Sequence, residues 1–120
     1  MVDNESQEMY LETIFKLQRA KGNVHSIDVA EELGYSKPSV SRAVGIMKKD
    51  GFITVRLDGT IDLTETGRAK AENIFARHKA LTEALVKMGL NQTDAEENAC
   101  RVEHVITEEA FEAIRKYFNV

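Results

Sequence analysis

Several features of other protein classes are missing from this chain of 120 residues. Its single cysteine cannot form an internal disulfide, which is typical of the reducing cytosol. No apolar run approaches the ~20 residues of a membrane-spanning helix, and the first residues contain no secretory signal. We therefore expect a cytoplasmic protein with no membrane partner. With one proline and seven glycines, most of the chain should be helical.

The motifs of common enzymes are also missing. The sequence contains no His-Glu-x-x-His pair, no phosphate-binding loop and no serine nucleophile elbow. We therefore expect no catalytic residues, no enzymatic activity and no small-molecule substrate. Hydrophobic residues at 42% and charged residues at 30% are instead typical of a soluble globular protein.

Charge is distributed unevenly along the chain. The formal net charge is −4, yet residues 36–56 contain five basic residues and one acidic residue. From residue 71 onward there are six basic and nine acidic residues. A basic segment joined to an acidic half favours a regulated DNA-binding protein, because the acidic half weakens unassisted binding to phosphate.

The N-terminal half predicts three helices and a hairpin. Apolar spacing indicates a helix over residues 6–20, a second helix capped by Ser26, and a third that begins at Ser36 with proline in its first turn. Strands 52–55 and 61–63 then flank an Asp-Gly turn. This order is typical of a winged helix-turn-helix; a small α+β domain without DNA binding is the alternative. The expected DNA contacts are Ser36, Lys37, Pro38, Ser39, Ser41, Arg42 and Arg56.

The C-terminal half predicts three more helices. They run from Thr64 to about Met88, from a capping box at residues 93–96 to about Val105, and from Thr107 onward. The predicted fold is mainly α with a small β-hairpin wing, divided into a DNA-binding domain at residues 1–63 and a helical dimerisation and metal-binding domain at residues 64–120. Apolar side chains exceed what one helical layer covers, which favours a homodimer: Leu81, Leu85, Met88, Ala110, Phe111, Ile114 and Phe118.

One short segment carries three metal-binding side chains of different kinds. Cys100, Glu103 and His104 stand three and four residues apart, so a helix presents them on one side. Met9 and Glu12 repeat this spacing in the first helix, and His78 lies in the long helix. Together the six residues fit a metal ion between two halves of the chain. The alternative is a buried structural cysteine beside an exposed Glu-His pair.

Five motifs, at residues 8–14, 36–41, 63–67, 77–78 and 99–104, make the chain resemble the diphtheria-toxin-repressor family of metal-dependent transcriptional repressors. Such proteins control iron or manganese homeostasis, and they hold metal between a winged helix-turn-helix and a dimerisation domain. Some members add an SH3-like domain, for which we expect no room because the sequence ends at Val120.

The resemblance implies which residues bind metal. Met9, Cys100, Glu103 and His104 match the activating site of iron-responsive members. His78 matches a ligand of both branches, and Glu12 matches a manganese-branch ligand. The ancillary site departs from the iron pattern, so a second metal could use His78, Glu96, Glu12 or Glu83.

The function implied by the resemblance is repression of metal-uptake genes by a homodimer on a palindromic operator. Soft ligands favour Fe(II) over Mn(II), with Zn(II), Co(II) or Ni(II) as substitutes in vitro. A Mn(II)-responsive regulator, a winged-helix regulator that senses no metal and a redox sensor based on Cys100 are the alternatives.

Overall fold

The computed structural model describes residues 4–120 and is mainly helical, as predicted. The described chain divides into two compact units, one that ends at Glu72 (unit 1) and one at residues 73–120 (unit 2), and the division falls within the long helix α4 (Glu65–Lys87). Among the residues described, no helix is long and apolar enough to cross a membrane.

Unit 1 contains the helix-turn-helix and the wing. Gly34 ends the second helix in a left-handed conformation with φ +70°, and Ser36 caps the third helix by accepting a hydrogen bond from the Ser39 amide at 3.3 Å. The third helix buries the predicted apolar face of Val40, Ala43, Val44 and Met47. The elements are α1 (Asn4–Lys21), α2 (Ser26–Leu33), α3 (Lys37–Lys49), β1 (Ile53–Val55) and β2 (Ile61–Leu63).

The wing is an antiparallel hairpin that pairs Ile53 with Leu63 and Val55 with Ile61. Ile53 and Ile61 are fully buried, as are Leu11 and Ile14 of α1, so the wing and α1 both supply the core of unit 1. Burial of these side chains stabilises the platform from which α3 projects its polar face.

The predicted cap of α2 is wrong. Ser26 is the first helical residue and His25 precedes it as the cap. The His25 amide donates to the Asp28 carboxylate at 2.8 Å, which also accepts from Lys21 Nζ at 2.6 Å. The bond from Lys21, followed by that from His25, lowers the pKa of Asp28. The Asp28 carboxylate in the first turn of α2 therefore accepts the hydrogen bond of the His25 amide at the helix start, as in a capping box.

Unit 2 contains the C-terminal part of α4 (Glu65–Lys87), then α5 (Gln92–Val102) and α6 (Glu108–Phe118). Leu81, Ala99 and Phe111 form its buried cluster. Thr107 caps α6 as predicted, but both predicted ends of α5 are wrong. Asn91 rather than the capping box at residues 93–96 caps α5, since its side chain accepts from the Asp94 amide at 2.9 Å. The helix ends at Val102, three residues before the predicted end.

Candidate metal centre and nucleic-acid interface

A buried carboxylate lies between two imidazoles in unit 2. Glu103 Oε2 is 2.7 Å from Nδ1 of His78, and Glu103 Oε1 is 3.2 Å from Nε2 of His104. The Glu103 side chain is 0% exposed and that of His104 is 1% exposed. Helix α4 supplies His78, while Glu103 caps the end of α5 and His104 follows it in the turn. Three of the predicted metal ligands therefore meet within one unit.

Arg77 holds the turn that carries this carboxylate. Its Nη1 donates to the main-chain oxygens of Glu103 at 3.2 Å and of Ile106 at 3.3 Å, and its Nη2 donates to Glu108 at 2.7 Å. The guanidinium also lies over the Phe111 ring, 5.0 Å from its centroid. These contacts fix the turn after α5 against α4. This role of Arg77 could not be predicted from the sequence, because no local pattern indicates a contact between residues so far apart.

The other candidates of unit 2 lie on its surface. Cys100, Glu96 and Glu83 are exposed, whereas Glu103 is buried. Glu96 accepts a hydrogen bond from Gln92 at 3.0 Å along the outside of α5. Because α5 ends at Val102, Cys100 is helical while Glu103 and His104 lie in the following turn. Glu103 itself keeps a right-handed helical conformation, with its amide bonded to the Ala99 oxygen at 2.9 Å, so a shared side for the three residues stays a prediction.

Unit 1 contributes the two candidates of α1. Glu12 is buried, and its carboxylate lies 3.7 Å from the Lys16 ammonium. Met9 is half-buried, and its sulfur accepts a hydrogen bond from the Tyr35 hydroxyl at 3.4 Å. Tyr35 was not among the residues singled out from the sequence, since a contact across 26 positions leaves no periodic signal.

The predicted DNA-contacting residues of α3 form an exposed surface. Ser36, Lys37, Pro38, Ser39, Ser41 and Arg42 are all exposed. The Ser36 hydroxyl donates to the Ser39 hydroxyl at 2.8 Å, so these groups are ordered at the helix N-terminus, where phosphate is favoured.

Arg56 occupies a different setting on the wing. Its guanidinium makes two bonds to the Asp62 carboxylate, at 2.7 Å and 3.0 Å, and this partner raises the pKa of Arg56. Asp62 therefore neutralises part of the charge that the sequence analysis assigned to DNA contact.

The donor set of unit 2 fits a divalent transition metal. Imidazole nitrogens and a carboxylate oxygen are ligands that iron, manganese and zinc accept. Burial favours a paired carboxylate, because an isolated charge in a dry site is costly. The 2.7 Å contact with His78 also has the geometry of a hydrogen bond, whereas the 3.2 Å contact with His104 is a charge contact only.

The two halves of the chain match two different family models of known proteins. Residues 4–60 match the family model described as "Iron dependent repressor, N-terminal DNA binding domain". Residues 64–120 match "Iron dependent repressor, metal binding and dimerisation domain". The chain belongs to the iron-dependent repressor family. The resemblance found in its sequence motifs is thus confirmed, and so is the winged helix-turn-helix fold followed by a helical domain.

Individual relatives agree with this assignment. The iron-dependent repressor IdeR of Mycobacterium tuberculosis is 35% identical over 116 residues, which are 96% of this chain and 50% of IdeR. The diphtheria toxin repressor of Corynebacterium diphtheriae is 34% identical over 106 residues, 88% of this chain and 47% of that protein. The crystal structure of T. acidophilum IdeR superimposes with a TM-score of 0.80 at 27% identity, covering 94% of this chain and 54% of that one.

The chain thus spans about half the length of the curated relatives it matches. The names of these relatives describe repressors and not enzymes, which agrees with the absence of enzyme motifs from the sequence.

Proposed function

We propose that this chain is a metal-dependent transcriptional repressor that Fe(II) activates. The observation that carries the proposal is the buried Glu103 carboxylate between the imidazoles of His78 and His104. Such a cluster in a family with a metal-binding domain is best explained as part of a metal centre. Domain boundaries at residues 1–63 and 64–120, and a cytoplasmic location, belong to the same proposal.

The activating ligands proposed for this centre are Met9, Cys100, Glu103 and His104, with His78 beside them. Thioether and thiolate are soft ligands, which favour Fe(II) over the harder Mn(II). When bound, the ion supplies positive charge and directional bonds to its ligands. The chain positions the ligands: Arg77 orients the turn that carries Glu103, and α1 carries Met9. Glu12, Glu96 and Glu83 remain candidates for a second ion.

The proposed partner is a double-stranded, palindromic operator upstream of metal-uptake genes, bound by a homodimer. Two copies of a helix-turn-helix read half-sites about 34 Å apart. The exposed hydroxyl and basic side chains of α3 suit phosphate and base-edge contacts. Exposed apolar side chains of unit 2, including Met88 at 63% exposure, support an interface between two copies.

Operator binding under anaerobic conditions tests this proposal. DNA selected from a random pool with Fe(II) present would be titrated with the full chain in Fe(II), in Mn(II) and in a chelator. We expect Fe(II) to tighten binding by about 5- to 150-fold over the chelator, the usual range for coupling between two sites. Equal affinities in Fe(II) and chelator would remove the metal from the mechanism. The folded Cys100→Ala variant should lose the response to Fe(II).

Two alternatives make different predictions in the same titration. A Mn(II)-responsive regulator is favoured by the buried Glu12 carboxylate, a hard ligand, and would respond more strongly to Mn(II). A winged-helix regulator without a metal would use the Glu103 carboxylate only for its hydrogen bond with His78 and its charge contact with His104, and no ion would change its affinity for DNA.

A further inference from the structure

We propose that Tyr35 is a positioning residue for the Met9 thioether and links it to the start of α3. The inference rests on the proposed role of Met9 as a metal ligand. All the contacts that carry it lie within unit 1. The central contact is the hydrogen bond that the Tyr35 hydroxyl donates to Met9 Sδ at 3.4 Å, within the range in which sulfur accepts.

Tyr35 is held by the turn between α2 and α3. Its amide donates to the main-chain oxygen of Ala30 at 3.1 Å, and its ring meets the Tyr10 ring edge to face, with centroids 5.9 Å apart at 70°. Residue 35 also directly precedes Ser36, which caps α3. These two contacts hold the main chain and the ring of Tyr35, which is 44% exposed, with its hydroxyl directed at Met9 Sδ.

Met9 is the flexible partner in this contact. Methionine is unbranched, with three rotatable bonds, and adopts many conformations unless a neighbour selects one. In this structure the hydrogen bond from the Tyr35 hydroxyl holds the half-buried Met9 side chain in one conformation. A thioether sulfur has two lone pairs, so accepting one hydrogen bond leaves the other lone pair for a metal ion. Ordering the side chain beforehand reduces the entropy lost when an ion binds, which raises affinity.

The same contact adjoins the DNA-reading surface. Met9, Tyr35, Ser36 and Ser39 line one depression of about 460 Å³ in unit 1. A predicted metal ligand and two predicted DNA-contacting hydroxyls therefore surround the same space, with Tyr35 between them in sequence and in contact with Met9. Tyr35 gives a direct physical connection from the thioether to the N-terminus of α3. Coupling between metal and DNA has to be reciprocal, and this contact is one route for it.

The Tyr35→Phe variant removes only the donor hydroxyl and tests the inference. The whole 120-residue chain would be titrated anaerobically with Co(II) by calorimetry. Without the Tyr35 hydroxyl, the cost of ordering the Met9 side chain falls on metal binding, so Co(II) binding should weaken by about twofold to tenfold. In metal-free protein, the ¹³C-methyl resonance of Met9, assigned with Met9→Leu, should shift. Tyr117→Phe is the matched control, because Tyr117 is 83% exposed on α6, and both readouts should stay at wild-type values.

The outcomes separate this inference from the proposed function. A wild-type chain that binds no Co(II) would overturn both. A wild-type chain that binds Co(II), together with a Tyr35→Phe variant of equal affinity, would overturn the positioning role alone. Tighter binding by the variant would also overturn it, since Tyr35 would then compete with the ion. Thermal melting of each variant establishes that the fold is retained.

Discussion

Replacing Glu103 with glutamine distinguishes a metal centre from a hydrogen-bonded carboxylate. The substitution keeps the size of a side chain that is 0% exposed but removes its negative charge. The amide oxygen can still accept the hydrogen bond from His78, whereas the contact with His104 loses the carboxylate charge. In metal-free protein the cost should therefore be about 1–3 kcal/mol in the free energy of unfolding.

The effect of metal on the melting temperature gives a second and independent signal. An ion that binds only the folded state at 100 times its dissociation constant stabilises by about 2.7 kcal/mol. Unfolding entropy near 60 °C is about 2.1 cal/mol/K per residue, or roughly 250 cal/mol/K for this chain. Saturating Co(II) should thus raise the melting temperature of the wild-type chain by about 10 °C. The Glu103→Gln variant should lose nearly all of this rise.

Differential scanning calorimetry with and without Co(II) makes the measurement. Glu97→Gln is the matched control, because Glu97 is exposed on α5 and is not among the proposed ligands, and it should keep the full rise. A Glu103→Gln variant that Co(II) stabilises as much as the wild type would refute the assignment of Glu103 as a ligand.

Three further predictions concern unit 1. A Cβ on Gly67 would lie 2.0 Å from the Phe52 carbonyl oxygen, so Gly67→Ala should lower the free energy of unfolding, measured in urea, by about 1–3 kcal/mol or more. Gly45 lies at an exposed position of α3 with open space around it, so Gly45→Ala should raise the free energy of unfolding by about 0.5–1 kcal/mol. The pKa of Asp28 is lowered in the folded state, so its stabilisation is present above the unfolded pKa near 3.8 and is lost as pH falls through the folded value. Asp28→Asn should cost about 1 kcal/mol at pH 7, and pH-dependent melting should show this difference vanishing in acid. Arg42→Ala should reduce the salt slope of DNA binding by about 1; an unchanged slope would exclude a phosphate contact.

Features of the fold that depend on local spacing could be predicted from the sequence. The buried face of α3 follows from helical periodicity, and its start follows from Ser36 and Pro38. The ends of α5 could not be predicted in the same way. Asn91 competes with the nearby capping box for the helix start. Arg77 binds the carbonyl oxygens of Glu103 and Ile106 in the turn that follows α5, and such a distant contact has no local signature.

The residues of the candidate site could also be predicted only in part. Residue types and family motifs predicted His78, Glu103 and His104, and the structure brings their side chains together. The contact of Tyr35 with Met9 joins residues 26 positions apart, and the ion pair of Arg56 with Asp62 depends on hairpin register. Both arise from tertiary packing, which neither composition nor spacing specifies.

Anomalous diffraction at the cobalt edge, from crystals grown anaerobically with Co(II), tests the proposed metal centre most directly. We expect a strong peak bonded to the Glu103 carboxylate and the His104 imidazole, with the Met9 sulfur among its ligands. A crystal with saturating Co(II) and no peak at Glu103 would contradict it.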